Sequence, residues 1–278
     1  MNLLVEGIHY HVEECGSGFP LLALHGFTGN SSTWTPFCNT WGQHSRLIMP
    51  DIIGHGETDS PEDYKRYDIH SAASDLNFLF DQLGIESADV LGYSMGGRLA
   101  LTFAVLYPEK VRKLILESAS PGLASSQERE VRCMKDGELA NFIIEEGVPA
   151  FIERWENTPL FKTMKEIPKR AQEAVREQRL LNSPTGLANS LRGMGTGSQP
   201  SWWENLKDIS CEVLLLTGSL DQKFCMIAEK MQKELKSARW VTVLESGHAI
   251  HVEKSEKFGT IVSEFCRIHN KGGFHFDS

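Results

Sequence analysis

Short apolar runs separated by stretches of helical spacing make up most of this chain, and that alternation constrains the fold more than any other feature. LLAL (21–24), RLIM (46–49), ADVLGY (88–93) and VRKLILES (111–118) read as buried strands. The segment from Leu3 to Val12 alternates polar and apolar residues, as an antiparallel strand pair near a sheet edge does. IHSAASDLNFLFDQLG carries apolar residues at helical spacing, with Asp68 ahead of it as an N-cap, and a second helix is expected over Met95 to Leu106. Strands alternating with helices predict a mostly parallel sheet with helices on both faces.

The alternation stops after Ser120. From 121 to 205 no segment reads as a strand, and AFIERWENT and KRAQEAVREQRLLN are helical. It resumes with strand EVLLLTG, helix FCMIAEKMQKEL, strand RWVTVL and a last helix SEKFGTIVSEFCRI. The pattern predicts one α/β core built from 1–120 and 206–278, with a helical cap insertion at 121–205. The tail NKGGFHFDS is expected to be frayed or loosely docked.

Composition narrows the partners. A length of 278 residues suits a single α/β unit, and a net charge of -9 argues against a broad basic face for nucleic acid or anionic lipid. A small basic pocket can still sit inside an acidic protein. The six cysteines are scattered, with no C-x-x-C pair, which lends some support to a reducing compartment and gives no sign of a disulfide framework or a zinc site. MNLLVEGIHYHVEECG lacks a cationic start followed by an apolar core, and no apolar run is long enough to span a bilayer. A cytoplasmic monomer or small homo-oligomer, with no metal, is the expectation.

GYSMG (92–96) matches G-x-S-x-G where that motif belongs, after a strand and before a helix. The tight turn lifts the Ser94 hydroxyl to the mouth of the sheet. It also turns the Met95 N–H, at the helix start, toward developing negative charge. A serine hydroxyl is a weak nucleophile or base until a histidine takes its proton and an acid fixes that histidine. Asp221 follows strand EVLLLTG and His248 follows strand RWVTVL, each just past a strand end where open α/β sheets gather their sites. Taken singly, Asp221 is a helix cap and His248 a loop histidine; together, in chain order with Ser94, they make a triad. Upstream, LALHGFTGN supplies the Phe27 N–H as a second oxyanion donor, with His25 holding that loop, and His55 in PDIIGHGETD reads as scaffold.

Arg98 stands four residues after Ser94, on the same helix face. Arginine binds carboxylates bidentately, so its presence there points to an anionic substrate, although its tip could turn to a structural carboxylate instead. Arg132, Trp155 and Arg179 in the insertion fit the same idea; arginines on amphipathic helices otherwise face water, and a lone tryptophan is otherwise core.

HGF at 25–27, D-x-x-G-H-G at 51–56, GYSMGG at 92–97, Asp221 and His248 are similar, over nearly the whole chain, to the α/β-hydrolase fold. GYSMGGR, ESASPGL, the cap residues Arg132, Trp155 and Arg179, and GHAIHVE resemble one branch of it. That branch is the menaquinone-pathway family of 2-succinyl-6-hydroxy-2,4-cyclohexadiene-1-carboxylate synthases. Tyr93, Arg98 and the triad align within their motifs. Arg132 and Arg179 are placed by looser spacing, and Arg129 or Arg176 are the alternatives.

The resemblance implies a lyase that removes pyruvate from 2-succinyl-5-enolpyruvyl-6-hydroxy-3-cyclohexene-1-carboxylate, with no cofactor. Ser94 would act as base, Phe27 and Met95 N–H groups would hold the enolate, and Tyr93, Arg98, Arg132, Trp155 and Arg179 would bind the polycarboxylate substrate. The alternative is a serine hydrolase acting on small esters or on C–C bonds of diketo acids. A binding protein on the same fold ranks last, because all three triad members are present.

Overall fold

The computed structural model describes residues 1–267. In chain order its regular elements are β1 (Asn2–Val5), β2 (Ile8–Cys15), β3 (Phe19–Leu24), α1 (Cys38–Trp41), β4 (Ser45–Pro50), α2 (Ile69–Leu83), β5 (Ala88–Tyr93) and α3 (Met95–Leu106). There follow β6 (Val111–Glu117), α4 (Ser126–Glu156), α5 (Lys169–Leu180), α6 (Pro184–Met194), β7 (Glu212–Gly218), α7 (Gln222–Glu234), β8 (Ala238–Val243), α8 (Ile250–Glu253) and α9 (Ser255–Arg267). The tail expected to fray begins at Asn270, outside the described residues.

The eight strands form one sheet in the order β1-β2-β4-β3-β5-β6-β7-β8. β1 and β2 pair antiparallel, β2 joins β4 antiparallel, and every later pairing is parallel. The alternating Leu3–Val12 segment is therefore the antiparallel edge, and the continuous apolar runs are the doubly covered interior strands. β5 shows why: all six of its residues are buried.

One face of the sheet is filled by Leu76, Phe80, Leu99 and Phe103 from α2 and α3. The other packs Trp34, Phe37, Trp41, Phe258 and Val262, which lie before and within α1 and in α9. Asp68 caps α2 by accepting from the His70 and Ser71 N–H groups, and Gly84 closes it in the left-handed region at φ 66°.

No strand occurs between β6 and β7. α4 opens with a capping box, Ser125 and Glu128 each accepting from the other's backbone N–H, and breaks at Gly147 (φ 81°), just ahead of Pro149. α4 and α6 share an apolar cluster of their own, which includes Ile143, Phe151, Leu187 and Leu191. Asn182 ties this helical region to the sheet: its amide donates to the Thr28 carbonyl at 2.8 Å and its oxygen accepts from the Gly56 N–H at 3.3 Å.

One expectation is corrected. Cys15 and Cys38 are joined in a disulfide, with Cα atoms 5.9 Å apart. The end of β2 and the start of α1 meet only through the tertiary fold, and a separation of 23 residues carries no local signature. The bond removes the support that scattered cysteines lent to a reducing compartment. Among the described residues no helix is long and apolar enough to cross a membrane.

Candidate active site

Strands β3, β5, β6, β7 and β8 run parallel, so their C-terminal ends share one edge of the sheet. The residues that follow them there are His25 to Phe27, Ser94, Ser118, Asp221 and His248. Ser94 sits between β5 and α3 at φ 51° and ψ -104°, a conformation that L-residues avoid. Close packing enforces it. A Cβ on Gly92 would lie 2.3 Å from the Gly96 carbonyl oxygen, and one on Gly96 would lie 2.3 Å from that of Leu24. The Ser94 N–H donates to the Glu117 carbonyl at 2.9 Å, which ties the turn to β6.

His248 accepts from the Ser94 hydroxyl at Nε2 (3.0 Å) and donates from Nδ1 to Asp221 Oδ2 (2.7 Å). These partners assign the tautomer: a carboxylate at Nδ1 requires the proton there and leaves Nε2 free to take one. Asp221 occupies the N-cap of α7 but makes no side-chain capping bond. The His248 loop is fixed by Glu253, which accepts from the Gly247 N–H at 2.8 Å and the Thr163 hydroxyl at 3.0 Å. Met95 is the first residue of α3, so the helix leaves its N–H unpaired. Phe27 stands opposite on the same cavity.

That cavity, about 530 Å³, is lined by Phe27, Tyr93, Ser94, Arg98, Arg132, Trp155 and His248, among others. Its first cation, Arg98, is half-buried and donates only to neutral acceptors, the Met194 carbonyl (2.7 Å) and Gln199 Oε1 (2.5 Å). Burial, with Arg132 nearby, lowers its pKa to about 10, so it stays charged at neutral pH. Arg132 donates from Nε to Asp136 Oδ1 at 2.8 Å, while Asp136 Oδ2 is buried and unpartnered. Burial pushes the Asp136 carboxyl up. Arg132 alone is bonded to Asp136, so the Arg98 charge faces this cavity with no carboxylate bonded to it. The Trp155 indole N–H is also buried without a partner in this cavity, an unmet donor.

Arg179 lies elsewhere. It borders an adjoining cavity of about 360 Å³ that shares Phe27, Tyr93 and Phe161 with the first. Its guanidinium stacks 4.7 Å over the Phe161 ring and contacts Glu156 at 3.4 Å. Of the two alternatives, Arg129 donates to the Leu123 and Ala124 carbonyls. Arg176 pairs with Glu153 and Glu156.

The histidines read as scaffold hold the site from below. His25 donates from Nδ1 to the Gly26 carbonyl (2.8 Å) and accepts the Ile52 N–H at Nε2 (2.9 Å), which locks the loop carrying Phe27. Burial lowers its pKa to about 4 and that of His55 to about 3.

Sequence reasoning missed several residues. Ser118, at φ 48°, holds a buried, unpartnered hydroxyl on the Ser94 cavity, and Lys223 and Lys230 stand on its rim. Gln199 and Asp136, which hold the arginines, carry no local signal. Glu117 and His251 pair in the interior, and the repeated histidine of GHAIHVE was the one hint of it.

The comparisons with known proteins agree with this fold. A family model for the alpha/beta hydrolase fold matches residues 20–255. A Bacillus subtilis (strain 168) protein provisionally named 2-succinyl-6-hydroxy-2,4-cyclohexadiene-1-carboxylate synthase is 47% identical over 268 residues, 95% of this chain and 97% of the relative. The synthase of that name from Photorhabdus laumondii is 28% identical over 90% of this chain and 86% of its own. The solved structure of MenH from S. aureus matches with a TM-score of 0.88 at 34% identity, covering 92% of this chain and 97% of that one. The chain belongs to the alpha/beta hydrolase fold family and, within it, to the 2-succinyl-6-hydroxy-2,4-cyclohexadiene-1-carboxylate synthases.

Proposed function

We propose that the chain eliminates pyruvate from 2-succinyl-5-enolpyruvyl-6-hydroxy-3-cyclohexene-1-carboxylate, a step of menaquinone biosynthesis, using protein groups alone. The reading agrees with the names of its relatives. The observation that carries it is Arg98, a half-buried cation held by neutral acceptors in the cavity of a hydrogen-bonded Ser94–His248–Asp221 array. A neutral ester gives such a guanidinium nothing to bind; a polycarboxylate does.

In this scheme His248 takes the Ser94 proton and Asp221 stabilises the imidazolium. The Ser94 oxygen removes a ring proton acidified by the succinyl ketone. The electron pair moves onto the ketone oxygen, where the Met95 and Phe27 N–H groups hold the enolate. Collapse of the enolate breaks the ring C–O bond. Pyruvate leaves as its enolate and is protonated, and the ring gains its conjugated diene. Arg98 and Arg132 orient carboxylates, the Trp155 N–H and Tyr93 line the same wall, and Arg179 serves the adjoining cavity. The helices of 121–205 act as a cap over a core of 1–120 and 206–278, in a cytoplasmic protein.

The test is pyruvate release on mixing the protein with freshly generated substrate, read by a coupled dehydrogenase and by diene absorbance. Enzyme-dependent release that disappears in Ser94→Ala supports the lyase. No release, with brisk turnover of small esters, overturns it in favour of the hydrolase.

A further inference from the structure

Glu117 ends β6 directly beside the nucleophile turn and is wholly buried. Its backbone carbonyl accepts the Ser94 N–H at 2.9 Å. Its carboxylate faces the other way, toward the loop that carries the catalytic histidine. Oε1 accepts the His251 N–H at 3.0 Å, and both carboxylate oxygens lie 2.9 Å from His251 Nδ1. His251 is three residues beyond His248, in the first turn of α8, where a helix N–H lacks an intrahelical partner. One side chain and its own backbone therefore grip both halves of the Ser94–His248 hydrogen bond.

The same pair backs the cavity wall. The His251 ring meets Tyr93 edge-on at 4.5 Å between centroids and lies 5.1 Å from Trp34, and the Tyr93 ring is 5.4 Å from His248. A buried carboxylate is costly unless it is paired and hydrogen-bonded, and replacing this one with an apolar residue would leave the His251 N–H and Nδ1 unsatisfied. The packing of this interior does not need a charge. Its placement does something geometrical: it fixes the distance across which Ser94 and His248 exchange a proton.

We propose that Glu117 is a positioning residue for the reaction, a clamp that holds the His248 loop in register with the Ser94 turn through His251. The inference rests on the reading that Ser94 and His248 carry the chemistry.

The experiment compares the full chain with its Glu117→Ala, Glu117→Asp and Glu117→Gln variants. Thermal midpoints establish which are folded. Two rates are then read: kcat and KM for pyruvate release, and the rate at which a fluorophosphonate labels Ser94. In the labelling step the Ser94 oxygen bonds to phosphorus, fluoride leaves, and His248 takes the hydroxyl proton.

Misplacing a catalytic group by about 1 Å costs on the order of 10²-fold, so Glu117→Ala is expected to lose about that much kcat with little change in KM. Labelling should slow in step. Glu117→Asp draws the carboxylate back by one methylene and is expected to fall between. Glu117→Gln keeps an acceptor for the His251 N–H and an amide for Nδ1, and is expected to recover most of the rate.

A folded Glu117→Ala with undiminished kcat and labelling overturns the proposal, and so does a rise in KM alone. If Glu117→Ala does not fold, a folded Glu117→Asp with full rates overturns it equally. If the unaltered chain releases no pyruvate, the lyase reading fails while the labelling rates still decide the role of Glu117.

Discussion

Asp221 stands at the N-cap of α7 and yet gives its carboxylate to His248, with Oδ2 2.7 Å from Nδ1 and no capping bond to the helix. A residue type that ordinarily stabilises a helix start is here committed to orienting an imidazole. The two duties separate in Asp221→Asn. An amide at this position favours the wrong histidine tautomer, and kcat is expected to fall about 10⁴-fold, as it does when the acid of such a triad is neutralised. The thermal midpoint should stay near that of the unaltered chain, because no cap is lost. Turnover and calorimetry on the same preparation check both halves. A variant that keeps its activity would remove Asp221 from the mechanism.

Arg98 donates to the Met194 carbonyl and Gln199 but to no carboxylate, so its charge is uncommitted until substrate arrives. Hydrogen bonds to charged groups contribute roughly 1.5–3 kcal/mol, which translates to a loss of about 10- to 10²-fold in kcat/KM for Arg98→Ala. Arg98→Lys restores the charge but not the planar fork, and should recover only part of the loss. Steady-state kinetics on both variants decide the point. If both match the unaltered chain, the guanidinium is structural and the argument for an anionic substrate loses its physical support.

The sheet was readable because its strands are buried on both faces and its helices on one, and these leave different periodicities in the sequence. The antiparallel edge, the β5–Ser94–α3 turn and the strand-free stretch from 121 to 205 all follow from that. Asp221 and His248 were readable because strand ends fix where such residues can sit. What remained hidden depends on contacts between distant segments. The Cys15–Cys38 bond joins two elements that meet only after the sheet forms. Arg132 was separable from Arg129, and Arg179 from Arg176, only once the turns of α4 and α5 had a rotational phase against the sheet. The unpaired hydroxyl of Ser118 and the Glu117–His251 clamp have no local signature either. Their importance lies in which partner is present or missing, and a linear sequence does not state that.

The glycines of the nucleophile turn give a packing prediction with an internal control. A methyl group on Gly96 would lie 2.3 Å and 2.4 Å from the Leu24 and His25 carbonyl oxygens, both backbone atoms that cannot swing aside. Overpacking of this kind costs about 1–3 kcal/mol or more, so Gly96→Ala should lower the unfolding midpoint visibly and impair turnover. Gly137, inside α4, has nothing within 4 Å of its would-be methyl group. Gly137→Ala should therefore raise stability by about 0.5–1 kcal/mol through helix propensity alone. Denaturant melts of the pair test the packing account, which fails if Gly96→Ala is as benign as Gly137→Ala.

The buried histidines beneath the site set an acid limit on stability. Burial lowers the pKa of His25 to about 4 and of His55 to about 3, both below the ordinary value near 6.5. A folded pKa below the unfolded one means that the unfolded chain binds the proton first. The contribution is complete above pH 6.5 and is lost as pH falls toward those folded values. Each histidine adds a slope of roughly 1.4 kcal/mol per pH unit across that window. His55→Asn keeps a donor where Nδ1 meets the Ile53 carbonyl at 3.2 Å. It gives up Nε2, which has no partner, and the ring contacts with His25 and Phe27, neither of which titrates in the folded chain between pH 6.5 and 5. Between pH 6.5 and 5 the unaltered chain should lose about 1.6 kcal/mol more than this variant, read as the gap between urea midpoints at the two pH values. Equal losses would mean that His55 is already protonated in the folded state or reaches solvent.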